Sequence, residues 1–189
     1  AKFAKWRAVI TIGNNLPTTA NIEANTHALA RYAALCQEAG IVPMVEPETM
    51  MDADNIIERC YEVTETTLKT LFAQMQQQDV AVEHTILKVN MVVSGKLCST
   101  QAGVQEVADQ TIRCLKDCVP AKLPGIVFLS GGQSSEAATA HLNAMNTAHK
   151  DLPWPLSFSY GRALQDNALM TWAGKAENID AATKTLLHR

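Results

Sequence analysis

The sequence has 189 residues, of which 47% are hydrophobic and 19% are charged, and its formal net charge at pH 7 is -3. This length suits one domain, or a large part of one. The slightly acidic balance favours neither a nucleic acid nor an anionic membrane as a partner, and the longest apolar runs fall far short of the roughly 20 residues that span a bilayer.

The first predicted strand covers residues 3–12 and carries two cations on one face. Lys5 and Arg7 are two residues apart, and side chains with this spacing point to the same side of a sheet. A turn follows, after which either Thr18 or Thr19 can accept the hydrogen bond that caps a helix. The first unit is therefore a strand with a cationic face, a turn and a helix.

The second predicted strand covers residues 41–48 and ends with two carboxylates. Glu46 and Glu48 share a face by the same period of two. Such a pair is often a solvated edge or an ion pair, and it can also transfer protons in catalysis. Asp52 or Asp54 can cap the long helix that follows this strand.

The third predicted strand, residues 84–93, carries one lysine inside an apolar run. Burial disfavours a charged ammonium group, so Lys88 either pairs with a carboxylate or is held as a free amine, the form that attacks carbonyl groups. A third interpretation is that its aliphatic stem packs while its head reaches water. A loop at residues 94–96 and a helix at about 102–119 follow.

Glycine-containing turns follow the last two predicted strands. The strand at residues 125–129 runs into the turn Ser130–Gly132, and the strand at residues 155–160 runs into Gly161–Arg162. Each turn precedes a predicted helix, and backbone N–H groups at a helix N-terminus bind anions such as phosphate. Taken alone, such a turn is more often only a turn, and a single arginine is most often a surface charge.

Strands and helices alternate along the whole sequence, which predicts an α/β fold with five parallel strands in a single domain over residues 1–189. Ligands of parallel α/β folds bind at the carboxyl ends of the strands. Residues with functional chemistry meet at those ends, and their common location favours one site over independent surface features. They are Lys5, Arg7, Glu46, Glu48, Lys88, Ser130, Gly131, Gly161 and Arg162.

The five cysteines favour a reducing compartment over a disulfide framework. Their number is odd, no two have the CxxC spacing, and most lie on the apolar faces of predicted helices. Cys114 and Cys118 share a helix face, which could suggest a metal pair, but no His or Cys at ligand spacing accompanies them. We therefore expect a cytoplasmic protein, with an organelle as the alternative, and neither a metal nor another cofactor.

Five segments of the sequence are similar to class I fructose-bisphosphate aldolase, in the family's order and with comparable spacing. The resemblance covers essentially the whole chain. It implies part of a TIM (β/α)8 barrel and an enzyme that cleaves fructose 1,6-bisphosphate into dihydroxyacetone phosphate and glyceraldehyde 3-phosphate without a metal. The segments are FAKWR (3–7), IVPMVEPE (41–48), ILKVNMV (86–92), FLSGGQS (128–134) and FSYGRAL (158–164).

The resemblance also implies a role for each candidate residue. Lys88 is similar to the lysine that forms a Schiff base, Glu46 to the glutamate that transfers protons during imine formation, and Glu48 to its companion. Lys5 and Arg7 match basic residues of the fourth barrel strand, which implies a catalytic role for Lys5 and a role in binding the substrate or its phosphate for Arg7. The positions that match phosphate-binding residues are Ser130, Gly131, Ser159, Gly161 and Arg162. The partners implied are a phosphorylated sugar substrate and identical subunits in a homotetramer.

The sequence departs from the family's pattern in two ways. Val89 stands where the family usually has proline, a change that leaves the Lys88 amine unaltered. By resemblance, the chain begins at the fourth strand and stops before the C-terminal tail, so three catalytic residues of the family have no counterpart in it. We therefore expect part of a longer polypeptide. A non-catalytic fragment or binding scaffold is the alternative function.

Overall fold

Five parallel strands form one sheet, in the order in which they occur along the chain. We describe residues 1–188 from a computed structural model. Strands and helices alternate, so the predicted α/β fold with a parallel sheet is confirmed. The strands are β1 (Phe3–Ile10), β2 (Val42–Thr49), β3 (Ile86–Val89), β4 (Ile126–Phe128) and β5 (Leu156–Phe158).

Six helices accompany the sheet within residues 1–188, and neighbouring helices contact one another in chain order. None of the helices in this part of the chain is both long and apolar enough to cross a membrane. Short 3-10 turns occur at Val82–His84 and Ala176–Asn178. The helices are α1 (Thr19–Glu38), α2 (Ile57–Gln77), α3 (Val104–Cys118), α4 (Ser135–Ala148), α5 (Arg162–Trp172) and α6 (Ile179–Leu187).

The hydrophobic core lies between the sheet and helices α1 to α4. Branched apolar side chains of the strands meet leucines and isoleucines of the helices there, and removal of this surface from water fixes the strands side by side. The residues that are fully buried include Ile10, Leu29, Leu68, Leu71, Leu87, Ile112, Leu115, Ile126 and Phe128. Helices α5 and α6, in contrast, bury none of their residues completely.

The strand predicted at residues 84–93 is shorter in the structure, where β3 spans only Ile86–Val89. The apolar run continues beyond β3 because residues 90–93 are buried, but the ladder with β2 ends at Leu87 and the ladder with β4 ends at Val89. The Val92 N–H donates to Thr111 Oγ1 of α3 at 2.9 Å. An apolar pattern reports burial, and here burial extends further than strand pairing.

One predicted helix cap is confirmed and another is wrong. Thr18 Oγ1 accepts a hydrogen bond from the Asn21 N–H at 3.1 Å, which caps α1 as expected. Neither aspartate predicted to cap α2 does so, because that helix begins at Ile57, after the loop that contains them. Asp52 instead pairs with Lys96 Nζ at 2.8 Å.

Both edges of the sheet are open within residues 1–188, since β1 pairs only with β2 and β5 pairs only with β4. Apolar side chains lie exposed near these edges, among them Phe3 (58%), Trp6 (52%) and Phe158 (49%). Unpaired strand edges and exposed aromatic side chains favour association with another protein surface.

Candidate active site at the carboxyl ends of the strands

Glu46 lies at the centre of a charged cluster on β1, β2 and β3. Only 3% of this residue is exposed. Its Oε2 atom accepts a hydrogen bond from Lys5 Nζ at 2.8 Å, and its Oε1 atom lies 3.0 Å from Lys88 Nζ. One buried carboxylate therefore contacts two lysine side chains through separate oxygens.

Strand register explains how β1 reaches the acids of β2. The parallel ladder places Arg7 opposite Glu46, so that Lys5 reaches Glu46, and Arg7 reaches Glu48, diagonally along the strands. Arg7 Nε donates to Glu48 Oε2, and this hydrogen bond raises the pKa of Arg7 above its ordinary value. The two cations and two acids that were predicted to share faces thus form two parallel ion pairs.

Lys88 projects from β3 beside Glu46 and does not extend into solvent. The residue is 9% exposed, and its neighbour in the ladder with β4 is Val127. Of the interpretations open from the sequence, the structure shows the pairing with a carboxylate. Because 3.0 Å is within the range for proton transfer, Glu46 can exchange a proton with the amine directly.

Asn90 supports this cluster, and the sequence analysis gave it no role. Its Oδ1 atom accepts from the Thr49 N–H at 2.9 Å, and its Nδ2 atom donates to Thr64 Oγ1 at 3.1 Å. Buried Asn90 thereby ties the ends of β2 and β3 to α2. The sequence carried one signal for it: Asn90 is two residues from Lys88, on the same face of an extended segment.

The turn after β4 forms a concave segment of backbone. Ser130 is buried, and its carbonyl oxygen accepts from the Gln133 N–H at 2.9 Å. Gly131 and Gly132 have φ values of +60° and +93°, a conformation that side chains with a Cβ rarely adopt. Successive residues in such conformations present N–H groups to an anion.

The end of β5 brings a second group to the same place. The Ser159 N–H donates to the Phe128 carbonyl at 2.8 Å, which continues the β4–β5 pairing. Gly161 immediately precedes α5, and Arg162 is the first residue of that helix. Arg162 Nη2 lies 3.4 Å from the position that a Cβ would occupy on Gly132. The turns after β4 and β5 therefore converge, one strand away from Lys88.

Lys96 also reaches the Ser130–Gly132 turn, although the sequence analysis placed it only in a loop. Its Nζ atom lies close to the position that a Cβ would occupy on Gly132, and its Cε atom lies 2.9 Å from the same position. Asp52, which caps no helix, pairs with the same Nζ atom. No local pattern around a loop lysine reveals such a contact, because it depends on the fold of three separate loops.

The family model for class I fructose-bisphosphate aldolase matches residues 1–189. The chain belongs to this aldolase family. It is 64% identical over 173 residues to a probable class 1 fructose-bisphosphate aldolase of Xanthomonas campestris pv. campestris, covering 92% of this chain and 52% of the relative. It is 49% identical over 189 residues to cytosolic fructose-bisphosphate aldolase 4 of Arabidopsis thaliana, covering 100% of this chain and 48% of the relative.

A solved aldolase structure has the same architecture. The aldolase of Plasmodium falciparum, in a complex with TRAP and a small molecule inhibitor, matches with a TM-score of 0.96 and 45% identity over 100% of this chain and 55% of its own. The five strands are thus part of an aldolase TIM (β/α)8 barrel, as the resemblance implied. The chain spans about half the length of the curated relatives that it matches.

Proposed function

We propose that this chain carries the reacting groups of a class I aldolase, which reversibly cleaves fructose 1,6-bisphosphate through a Schiff base on Lys88. The observation that most supports the proposal is the contact of 3.0 Å between the Lys88 amine and the buried carboxylate of Glu46. A nucleophilic amine needs a partner that removes its proton and later returns one, and Glu46 is placed to do both.

The proposed reaction begins when the neutral Lys88 amine attacks the C2 carbonyl carbon of the sugar. The proton that the attacking nitrogen loses passes to the former carbonyl oxygen, which gives a carbinolamine. Glu46, which took a proton from the Lys88 ammonium group before the attack, donates that proton to the carbinolamine hydroxyl, which departs as water and leaves a protonated imine. Glu46, again a carboxylate, accepts the proton of the C4 hydroxyl as the C3–C4 bond breaks and the electron pair of that bond moves toward the iminium nitrogen. Glyceraldehyde 3-phosphate departs, and the enamine of dihydroxyacetone phosphate remains on Lys88.

Two further groups have supporting roles in this proposal. Lys5 holds Glu46 in position through its contact of 2.8 Å, and Arg7 does the same for Glu48. A substrate phosphate binds at the converging turns after β4 and β5, where backbone N–H groups, hydroxyls and one guanidinium are available. The residues proposed for this site are Ser130, Gly131, Ser159, Gly161 and Arg162.

We extend the proposal to the assembly and its location on the basis of family membership. The enzyme acts in glycolysis and gluconeogenesis as a homotetramer in the cytoplasm. Relatives in Arabidopsis thaliana named as cytosolic aldolases support that location. The open sheet edges and exposed apolar side chains give the chain surfaces that other parts of an assembly can cover.

A binding scaffold without catalysis is the second candidate function, because the chain spans about half the length of its curated relatives. Such a protein would keep the phosphate site and the Lys88 amine while lacking groups that complete the reaction. It would bind phosphorylated sugars without cleaving them.

Cleavage of fructose 1,6-bisphosphate by the natural full-length polypeptide separates the two candidates. We expect triose phosphates to form with the wild type and with Lys69→Met, a matched surface control whose amine pairs with Glu65 at 2.8 Å on α2. We expect Lys88→Met to show no detectable cleavage. A folded wild type that binds the sugar without cleaving it would support the scaffold, and full activity in Lys88→Met would exclude the Lys88 imine.

A further inference from the structure

Two cations from different loops meet at Gly132. Lys96 Cε lies 2.9 Å from the position of a Cβ on that residue, and Arg162 Nη2 lies 3.4 Å from the same position. Lys96 comes from the loop after β3, and Arg162 from the start of α5. Gly132 allows this approach because it has no side chain and a φ of +93°. Three successive strand ends thus place two positive charges around one partly buried turn.

The loop that carries Lys96 is held by main-chain contacts. The Lys96 N–H donates to the Met51 carbonyl at 2.7 Å, and the Leu97 N–H donates to the Ala53 carbonyl at 2.9 Å. Gly95 packs so closely against the Ala53 carbonyl that a Cβ would overlap it. The backbone of Lys96 is therefore held in place, whereas its side chain is 34% exposed and accessible to solvent and to a ligand.

The two cations at Gly132 differ in their ion pairing within residues 1–188. Asp52 Oδ1 pairs with Lys96 Nζ at 2.8 Å, whereas Arg162 has no ion-pair partner among residues 1–188. An ammonium group has three donors, so Lys96 can keep its bond to Asp52 and still donate to a second acceptor. Like charges in close proximity repel each other, and an anion bound between them relieves this repulsion.

We propose that Lys96 is a further phosphate-binding residue, which donates to the same substrate phosphate as Arg162 and the Ser130–Gly132 turn. The proposal rests on the proposed function for the identity of the ligand, a sugar monophosphate or bisphosphate. Asp52 positions the ammonium group over the turn. Lys96 thereby adds a second full positive charge to a site whose other donors are mostly neutral N–H and hydroxyl groups.

The cleft beside the Ser130–Gly132 turn offers a place for the phosphate. A cleft of about 310 Å³ lies beside Gly132 and Arg162 and is also lined by Glu136 and Asp166. In this proposal the phosphate binds at the Gly132 end of the cleft, because Lys96 and Arg162 both approach that residue.

Binding of glycerol phosphate to the natural full-length polypeptide tests the proposal by titration calorimetry. This probe has the phosphate of a triose phosphate but no carbonyl, so its affinity does not depend on an imine. We expect Lys96→Met to weaken binding about tenfold, which is the usual effect of losing one charge-assisted hydrogen bond. Lys96→Arg keeps the charge and should bind within about threefold of the wild type.

Lys122→Met is the matched control, because Lys122 also pairs with a carboxylate, Glu83 at 2.9 Å, but lies before β4, away from the turn. Its affinity should equal that of the wild type. Thermal unfolding checks that each variant is folded, and Lys96→Gln replaces Lys96→Met if the latter unfolds. A folded, charge-free variant that binds glycerol phosphate within twofold of the wild type overturns the proposal, as does a wild type that does not bind it.

The outcome is separate from that of the proposed function. If the wild type cleaves fructose 1,6-bisphosphate while Lys96→Met binds glycerol phosphate normally, the Lys96 proposal fails and the aldolase proposal stands. If no cleavage occurs but glycerol phosphate affinity falls in Lys96→Met and returns in Lys96→Arg, the phosphate role of Lys96 stands without the aldolase reaction.

Discussion

Glu46 contacts Lys5 and Lys88 through separate carboxylate oxygens. In the proposed reaction the contact with Lys5 holds the carboxylate in position, and the contact with Lys88 lets the carboxylate exchange a proton with the amine. We predict that Glu46→Gln slows imine formation about 100-fold, since an amide can neither accept nor return a proton. The rate at which borohydride traps dihydroxyacetone phosphate on the protein measures this step. Glu62→Gln, which alters an exposed acid paired with Arg59, should react at the wild-type rate. Equal rates in Glu46→Gln and the wild type would exclude Glu46 as the proton carrier.

His141 is a buried group on α4 whose titration affects stability. Burial lowers the pKa of His141 below its ordinary value, and its Nδ1 atom lies 2.7 Å from Gln133 Oε1. At a pH below the unfolded pKa, near 6.5, the unfolded chain binds a proton that the folded chain does not. We predict that stability falls as the pH decreases from 7 toward 5.5, and that the fall is smaller in His141→Asn. Urea unfolding of the natural full-length polypeptide and of its His141→Asn variant at several pH values measures this fall. Identical pH dependence of the free energy of unfolding in the two proteins would contradict the prediction.

The sequence specifies the N-terminal cap of helix α1 only to within two adjacent threonines. Both Thr18 and Thr19 could cap it, and the structure assigns the bond from the Asn21 N–H to Thr18. We predict that Thr18→Ala lowers the free energy of unfolding by about 1 kcal/mol, whereas the adjacent Thr19→Ala has a small effect. Chemical denaturation of both variants, each made in the natural full-length polypeptide, gives the comparison. A larger loss in Thr19→Ala would show that the cap is misassigned.

The elements that were predicted well are those whose signal is local. Alternation placed Lys5 and Arg7 on one face of β1 and Glu46 and Glu48 on one face of β2, and the ion pairs in the structure follow from it. The sequence could not show which residue would meet which, because the partners are 41 positions apart and depend on strand register.

Other features were missed for a related reason. The end of β3 was misplaced because an apolar run continues where strand pairing stops. Asp52 was assigned to a helix cap because that acid precedes a helix, but Lys96 lies close enough to pair with it only in the folded chain. Loop contacts of this kind depend on tertiary structure, which no spacing in the sequence reports.

At the scale of the whole molecule, surfaces of residues 1–188 remain uncovered. Both sheet edges are open, and an apolar groove lies between α5 and α6, lined by side chains that include Leu169, Trp172, Ile179 and Leu186. We predict that the isolated 189-residue chain associates or unfolds at micromolar concentration, since open edges and apolar patches of this kind drive association. Size-exclusion chromatography with light scattering tests the association, and urea unfolding tests the stability of the chain. A stable monomer with one cooperative transition would contradict it.

The central claim is that Lys88 is the nucleophile, and peptide mapping after borohydride reduction tests it most directly. The natural full-length polypeptide is mixed with dihydroxyacetone phosphate, reduced, digested and analysed by mass. We predict a single stoichiometric adduct on the peptide that contains Lys88, and none in Lys88→Met. An adduct confined to another lysine, or none on a folded protein, would contradict the account.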